Sequence, residues 1–154
     1  MNIGTVCSRD VCVSRRGEAL ASAASQMMDR HVGALVVVEP TAAAADRLRP
    51  VGIITDRDIV CGQVSPPRDL FCLTVDDVMT ADPLVLEEGC GIGEGIRLLA
   101  ERGVRRAPVV DRNGALVGVA STDDLLRALS DELGGLAQLI RQQPGLERRR
   151  MKWP

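Results

Sequence analysis

Two short stretches carry the residue types that could do chemistry. Residues 52–58 read Gly52-Ile53-Ile54-Thr55-Asp56-Arg57-Asp58, and residues 118–124 read Gly118-Val119-Ala120-Ser121-Thr122-Asp123-Asp124. In each, a hydroxyl residue is followed three positions later by an aspartate. That is the spacing of a capping box, in which the hydroxyl and the acid satisfy backbone N–H groups at a helix start. The same element has ligand chemistry. A helix N-terminus presents free N–H groups and a positive dipole end, which suit phosphate. A carboxylate accepts hydrogen bonds from two adjacent hydroxyls, which suits a ribose diol. Arg57, Arg105 and Arg106 are placed to grip phosphate oxygens in bidentate fashion. The competing reading makes them surface ion-pair partners that contribute little. Arg105 and Arg106 adjoin on a strand entry, so one of the two points into a cleft. Arg57 precedes Asp58, whereas Asp123 precedes Asp124. This difference predicts tighter phosphate binding beside Asp58, by about tenfold.

The motif occurs twice because the chain is written twice. At an offset of 72, Val6, Asp10, Val13, Gly17, Val32 and Val37-Val38 match Val78, Asp82, Val85, Gly89, Val104 and Val109-Val110. The offset then falls to 66, where Val51-Gly52 matches Val117-Gly118 and Asp58 matches Asp124. The first copy therefore carries an insertion near Thr41–Arg49, expected to bulge outward as an Ala-rich loop. Each copy opens with a short extended stretch, Val11–Val13 or Pro83–Leu86. An amphipathic helix follows, with Leu20, Ala23, Ala24, Met27 and Met28 at helical spacing in one copy and Ile92, Gly95, Ile96, Leu99 and Ala100 in the other. Two buried strands come next, Ala34–Val38 and Val51–Thr55, then Ala107–Val110 and Leu116–Ala120, with Asn113-Gly114 as the second copy's turn. A second helix closes each copy. The expected fold is α/β: two β-α-β-β-α repeats related by a pseudo-two-fold axis, sheets packed together and helices outside. The divisions are 1–62, a linker at 63–74 containing Pro66-Pro67, 75–130, and a C-terminal helix and basic tail at 131–154.

These residues resemble a tandem pair of cystathionine-β-synthase (CBS) domains, the Bateman module, over roughly residues 2–130. The most specific pieces are Gly52–Ile59, Val75–Thr80, and Val104–Asp111 leading to Gly118–Leu125. The pattern is especially similar to small stand-alone bacterial CBS-pair proteins. The resemblance implies a sensor that binds AMP, ADP, ATP, S-adenosylmethionine, NAD or a relative between the repeats. It also implies dimerisation into a flat disc. By position, Asp58 and Asp124 would hold ribose, Thr55 and Ser121 would contact phosphate or ribose, and Thr80 and Ser8 would line the purine pocket. Two features depart from the family pattern: Val36 stands where the second copy has Pro108, and the Thr41–Arg49 insertion is atypical.

The remaining composition mostly excludes. The formal net charge of −2 gives no electrostatic pull toward nucleic acid or an acidic membrane. Phe71 and Trp153 are the only aromatics, too few for base-stacking platforms. Five cysteines, no C-x-x-C and the single His31 give no reason to expect a zinc site. Neither an export signal nor a membrane-length apolar run is evident, so a cytoplasmic protein with reduced thiols is expected. Cys12 and Cys90 read as core packing, while Cys72 reads as exposed and oxidisable. His31 closes the first helix, where a cation suits the dipole. Leu129, Leu133, Leu136 and Ile140 form a helical seam, although Gly134-Gly135 weakens the helix around it. The basic run from Arg148 to Trp153 reads as a solvated tail. No catalytic triad, paired carboxylate or metal cluster emerges. The sequence thus predicts a non-enzymatic, homodimeric regulatory module that binds an adenine nucleotide, requires no cofactor and acts in trans on an unidentified protein. The alternatives are an interaction homodimer with a vestigial cleft and a redox-responsive dimer through Cys72.

Overall fold

The computed structural model describes the backbone of residues 1–42, 45–64 and 69–150, with side chains as far as residue 142 in the last helix. Pro66-Pro67 and the end of the basic tail lie outside the described residues. The first repeat runs β1 (Val13–Ser14), α2 (Leu20–Arg30), β2 (Ala34–Pro40), β3 (Leu48–Thr55) and α3 (Asp56–Val64), preceded by a single-turn helix α1 (Ile3–Val6). The second runs β5 (Leu86–Glu87), α4 (Ile92–Arg102), β6 (Arg106–Val110), β7 (Leu116–Ser121) and α5 (Thr122–Arg150), preceded by β4 (Thr80–Ala81). The repeats match in register as well as order. β1 pairs parallel to β2 through Val13 and Val36, and β5 pairs parallel to β6 through Leu86 and Val109. Both hairpins carry an irregularity at the same place, between Val37 and Val38 and between Val109 and Val110.

Side-chain periodicity explains the burial. On α2, Leu20, Ala23 and Met27 are buried against Leu35, Val37 and Ile54, while Met28 faces out. On α4, Ile92, Gly95 and Leu99 are buried against Leu86, Val109 and Ala120, while Ile96 and Ala100 are exposed. Each repeat has its own core, and the two sheets meet through β3 and β7. α2 and α4 both end in a left-handed residue. His31 has φ 53° and its counterpart Gly103 has φ 63°.

The segments that precede the repeats cross over. Ile3 is fully buried in the second repeat's core, and Ser8 exchanges both backbone hydrogen bonds with Val119 of β7 at 2.9 Å. Conversely, β4 pairs with β3, Thr80 opposite Ile53 and Ala81 opposite Gly52. The glycines that open the two motifs make room for these crossings. A Cβ on Gly118 would lie 2.7 Å from the Cys7 sulfur and 2.8 Å from the Ser8 carbonyl oxygen. A Cβ on Gly52 would lie 2.6 Å from the Met79 sulfur and 3.2 Å from the Thr80 carbonyl oxygen.

Two sequence expectations need correction. The Thr41–Arg49 insertion is not all loop: Leu48 and Arg49 belong to β3, and residues 43–44 lie outside the described residues. Pairing continues to Pro40 opposite Leu48, so the first hairpin is longer than the second. Arg47 then turns back to form an ion pair with Asp111 of the second repeat, at the turn after β6. In addition, α5 passes through Gly134-Gly135 without a break, as one 29-residue helix. Good helix formers on both sides outweigh the cost of two glycines, about 1 kcal/mol each.

Candidate functional site

Both capping boxes form as their spacing requires. Thr55 donates from its backbone N–H and its hydroxyl to Asp58 Oδ2, at 2.8 and 2.7 Å, and the Asp58 N–H donates to Thr55 Oγ1 at 3.2 Å. Ser121 donates in the same way to Asp124 Oδ2, at 3.0 and 2.6 Å, and the Asp124 N–H returns a bond to Ser121 Oγ at 3.2 Å. The cap thus occupies one carboxylate oxygen of each aspartate. The other, Oδ1, makes no hydrogen bond to the described residues. Each box leaves a half-buried acceptor at the start of a helix, which is what a sugar diol needs.

The surroundings of the two boxes differ. Beside Asp124 the chain encloses a cleft of about 250 Å³. Its polar side chains are Ser8, Asp10, Arg106, Ser121 and Asp124, and its apolar wall includes Leu35, Val36, Ile53 and Val119. The crossing segment delivers Ser8, β6 delivers Arg106, and β7 with the first turn of α5 delivers Ser121 and Asp124. Strand alternation selects between the two adjacent arginines. Arg106 lines the cleft, whereas Arg105 is exposed and its carbonyl accepts the Thr122 N–H at 2.8 Å.

Thr55, Arg57, Asp58 and Thr80 do not line that cleft; at the repeat offsets they correspond to Ser121, Asp123, Asp124 and Ser8. Thr80 is exposed on β4 beside Ile53. Arg57 is exposed on the first turn of α3, where its N–H donates to Asp56 Oδ1 at 2.8 Å. The strand partner of Thr55 is Ala34, whereas the partner of Ser121 is Arg106. Arg106 and Ala34 are thus matched strand positions, and both line the cleft beside Asp124.

Sequence reasoning missed Asp10 as a cleft residue. The signal existed, because Asp10 and Asp82 coincide at the repeat offset, but it served only to align the copies. Arg30, at the end of α2, binds both Asp10 carboxylate oxygens, at 2.8 and 3.0 Å. Cys7 sits behind β7 against Gly118, and burial pushes its thiol up, with Arg9 pulling the other way. Cys12 and Cys90 are half-buried against the two cores, and Cys61 is exposed along with Cys72. Among the described residues, no group of three or more His, Cys, Asp or Glu could hold a metal, and no helix is long and apolar enough to cross a membrane.

Comparison with known proteins agrees with this architecture. A CBS-domain family model matches residues 3–62 and again 75–131. The chain belongs to the CBS domain family, as a tandem pair. An uncharacterized Methanopyrus kandleri protein is 31% identical over 127 residues; the match covers 82% of this chain but 62% of that protein's length. Among solved structures, CBSX2 in complex with AMP is 25% identical with a TM-score of 0.69, over 84% of this chain and 96% of that one. Hypoxic Response Protein I with two coordinated zinc ions is 27% identical with a TM-score of 0.67, over 82% and 98%. The sequence of Hypoxic response protein 1 from Mycobacterium tuberculosis is 30% identical to this chain over 131 residues, covering 85% and 82%.

Proposed function

We propose that this protein is a regulatory module that binds an adenosine ligand, and that the Asp124 half of the cleft is its principal site. The observation that carries the reading is the convergence of a free Asp124 Oδ1, the Ser121 hydroxyl, the Ser8 segment and Arg106 on one cavity. The carboxylate would accept the ribose hydroxyls. Arg106 and the N–H groups at the start of α5 would meet a phosphate, and the apolar wall of Val36, Ile53 and Val119 would take the purine. The AMP bound by the structural relative CBSX2 supports this choice of ligand class. Sequence alone ranked the Asp58 half first, on Arg57. The geometry favours Asp124, because Arg106 lines the enclosed cleft whereas Arg57 stands on an exposed turn. The module acts without catalysis, as a homodimer whose output is read in trans by a regulated protein.

Thermal shift with adenosine, AMP, ADP, ATP, S-adenosylmethionine and NAD tests this. A ligand at a hundred times its Kd stabilises by about 2.7 kcal/mol, which raises Tm by roughly 5–10 °C in a domain of this size. A flat response across the panel at millimolar ligand would contradict the reading and leave the cleft vestigial.

A further inference from the structure

The segment that delivers Ser8 to the cleft also borders a second cavity, of about 360 Å³. Asn2, Thr5 and Arg9 line it from that segment, Glu87 and Glu88 from β5 and the turn after it, and Arg112 from the turn after β6. No residue lines both cavities.

The charges here are held in place but not used up. Arg9 donates to the Val117 carbonyl oxygen at 3.1 Å and to the Gly4 carbonyl oxygen at 2.9 Å. Those two bonds pin the guanidinium and occupy two of its five N–H groups. Glu88 Oε2 lies 3.8 Å from Arg9 Nη2, beyond hydrogen-bond reach. The side chains of Glu87, Glu88 and Arg112 make no hydrogen bond to any described residue.

The matching corner of the first repeat is closed. At the offset of 72, Arg15, Arg16 and Asp76 stand where the second repeat has Glu87, Glu88 and Gly4. Arg16 donates to Asp76 Oδ1 at 2.7 Å and to Glu39 Oε1 at 2.9 Å. The second repeat carries the opposite charge at that corner and a glycine in place of the partner. Its carboxylates therefore line the cavity with no counterion in hydrogen-bond contact.

We propose that this cavity is a second binding site, for a free α-amino acid. Two arginines and two glutamates line it, so both signs are present and they balance. A dianion such as phosphate would meet two carboxylates, and a diamine would meet two guanidinium groups. A zwitterion avoids both penalties. Its carboxylate pairs with Arg9 and Arg112, and its ammonium with Glu87 and Glu88, through charge-assisted hydrogen bonds. The volume lies near the lower end of small-molecule pockets, roughly 300–1,000 Å³, as a ligand of this size needs. Thr5 and Arg9 stand on either side of Ser8 in sequence, so the occupant grips the same segment that serves the nucleotide cleft.

Thermal shift of the full chain with each of the standard amino acids, at about 10 mM and fixed neutral pH and ionic strength, tests it. At ten times its Kd an amino acid should raise Tm by roughly 3–6 °C. The N-acetyl derivative and the methyl ester of that amino acid should each lose most of the shift, because each lacks one of the two charges. In isothermal titration, Glu87→Gln and Arg112→Gln should each weaken its binding roughly fivefold or more. Both side chains are exposed, so the unliganded Tm should stay within about 2 °C of wild type. Three results would overturn the proposal: a flat response across the panel; an N-acetyl derivative or methyl ester that shifts Tm as far as its parent; or titrations unchanged in both charge variants, which would place the amino acid elsewhere on the molecule. The site uses no residue of the nucleotide cleft, so these results stand apart from those of the nucleotide panel.

Discussion

The two capping boxes share a backbone geometry and differ in what surrounds them. They superpose bond for bond, with Oδ2 committed to the cap and Oδ1 left over. The strand position beside the box is Ala34 in one half and Arg106 in the other. The helix position before the aspartate is Arg57 in one and Asp123 in the other. The close approach behind the box is Met79 against Gly52 in one and Cys7 with the Ser8 carbonyl against Gly118 in the other. The two copies share the cap and the glycine and differ at the charged positions around them.

The largest expected contrast is steric. Gly118→Ala should destabilise the protein by about 2–3 kcal/mol, because its new methyl meets the Ser8 backbone, which cannot yield without moving the crossing segment. Gly52→Ala should cost about 1 kcal/mol, because the nearest obstacle is the flexible end of Met79. Urea unfolding of the two variants checks the order. Equal losses would show that the crossings are equally tight.

Next comes charge. Arg106→Ala should weaken AMP binding about tenfold, roughly 1.4 kcal/mol, whereas Arg57→Ala should change it less than twofold. Ala34 shares the wall of the Asp124 cleft, so Ala34→Arg should crowd that cleft and weaken AMP binding. Isothermal titration at constant ionic strength reads all three, since salt screens these contacts.

A smaller difference lies at the helix ends. His31 occupies a left-handed conformation that Gly103 adopts without strain. His31→Gly should stabilise the protein by about 0.5–1 kcal/mol, because glycine adopts that conformation without the Cβ penalty. Thermal melts check this, and a loss of stability would mean that the His31 side chain packs better than its exposure suggests.

The smallest concerns the ion pair that only the first repeat's insertion makes possible. The N–H groups of Ala115 and Asn113, then Arg47, hold the Asp111 carboxyl below the usual aspartate range. A depressed folded pKa contributes stability that is complete above the unfolded value and disappears as pH falls through the folded one. Wild-type stability should therefore fall below about pH 4 more steeply than that of Asp111→Asn. Parallel pH profiles would remove Asp111 from the account.

Much of this was legible in the sequence because it is local or repeated. Ser121 and Asp124 lie three residues apart, so the cap follows from chain geometry alone, and the offsets of 72 and 66 exposed the doubled β-α-β-β-α order. The long-range facts were not legible. Nothing in the run Ile3–Ser8 says that it docks on the other repeat, since apolar residues fit either core. The choice of Arg106 over Arg105 needed the register of β6, because strand alternation gives two answers until one pairing is fixed. Asp10 entered the cleft through that same crossing. Arg47 reached Asp111 because the first hairpin extended beyond its twin, which a composition of alanines concealed.

The most direct test of the central claim is calorimetric titration of AMP into wild type, Asp58→Asn and Asp124→Asn. At this third position of the capping box the asparagine amide oxygen can still accept the backbone N–H of Thr55 or Ser121, so the cap is kept while the free carboxylate acceptor is lost. The account predicts that Asp124→Asn removes the tighter binding event and that Asp58→Asn leaves it within about twofold of wild type. Loss of the tighter event in Asp58→Asn, with Asp124→Asn unaffected, would contradict it.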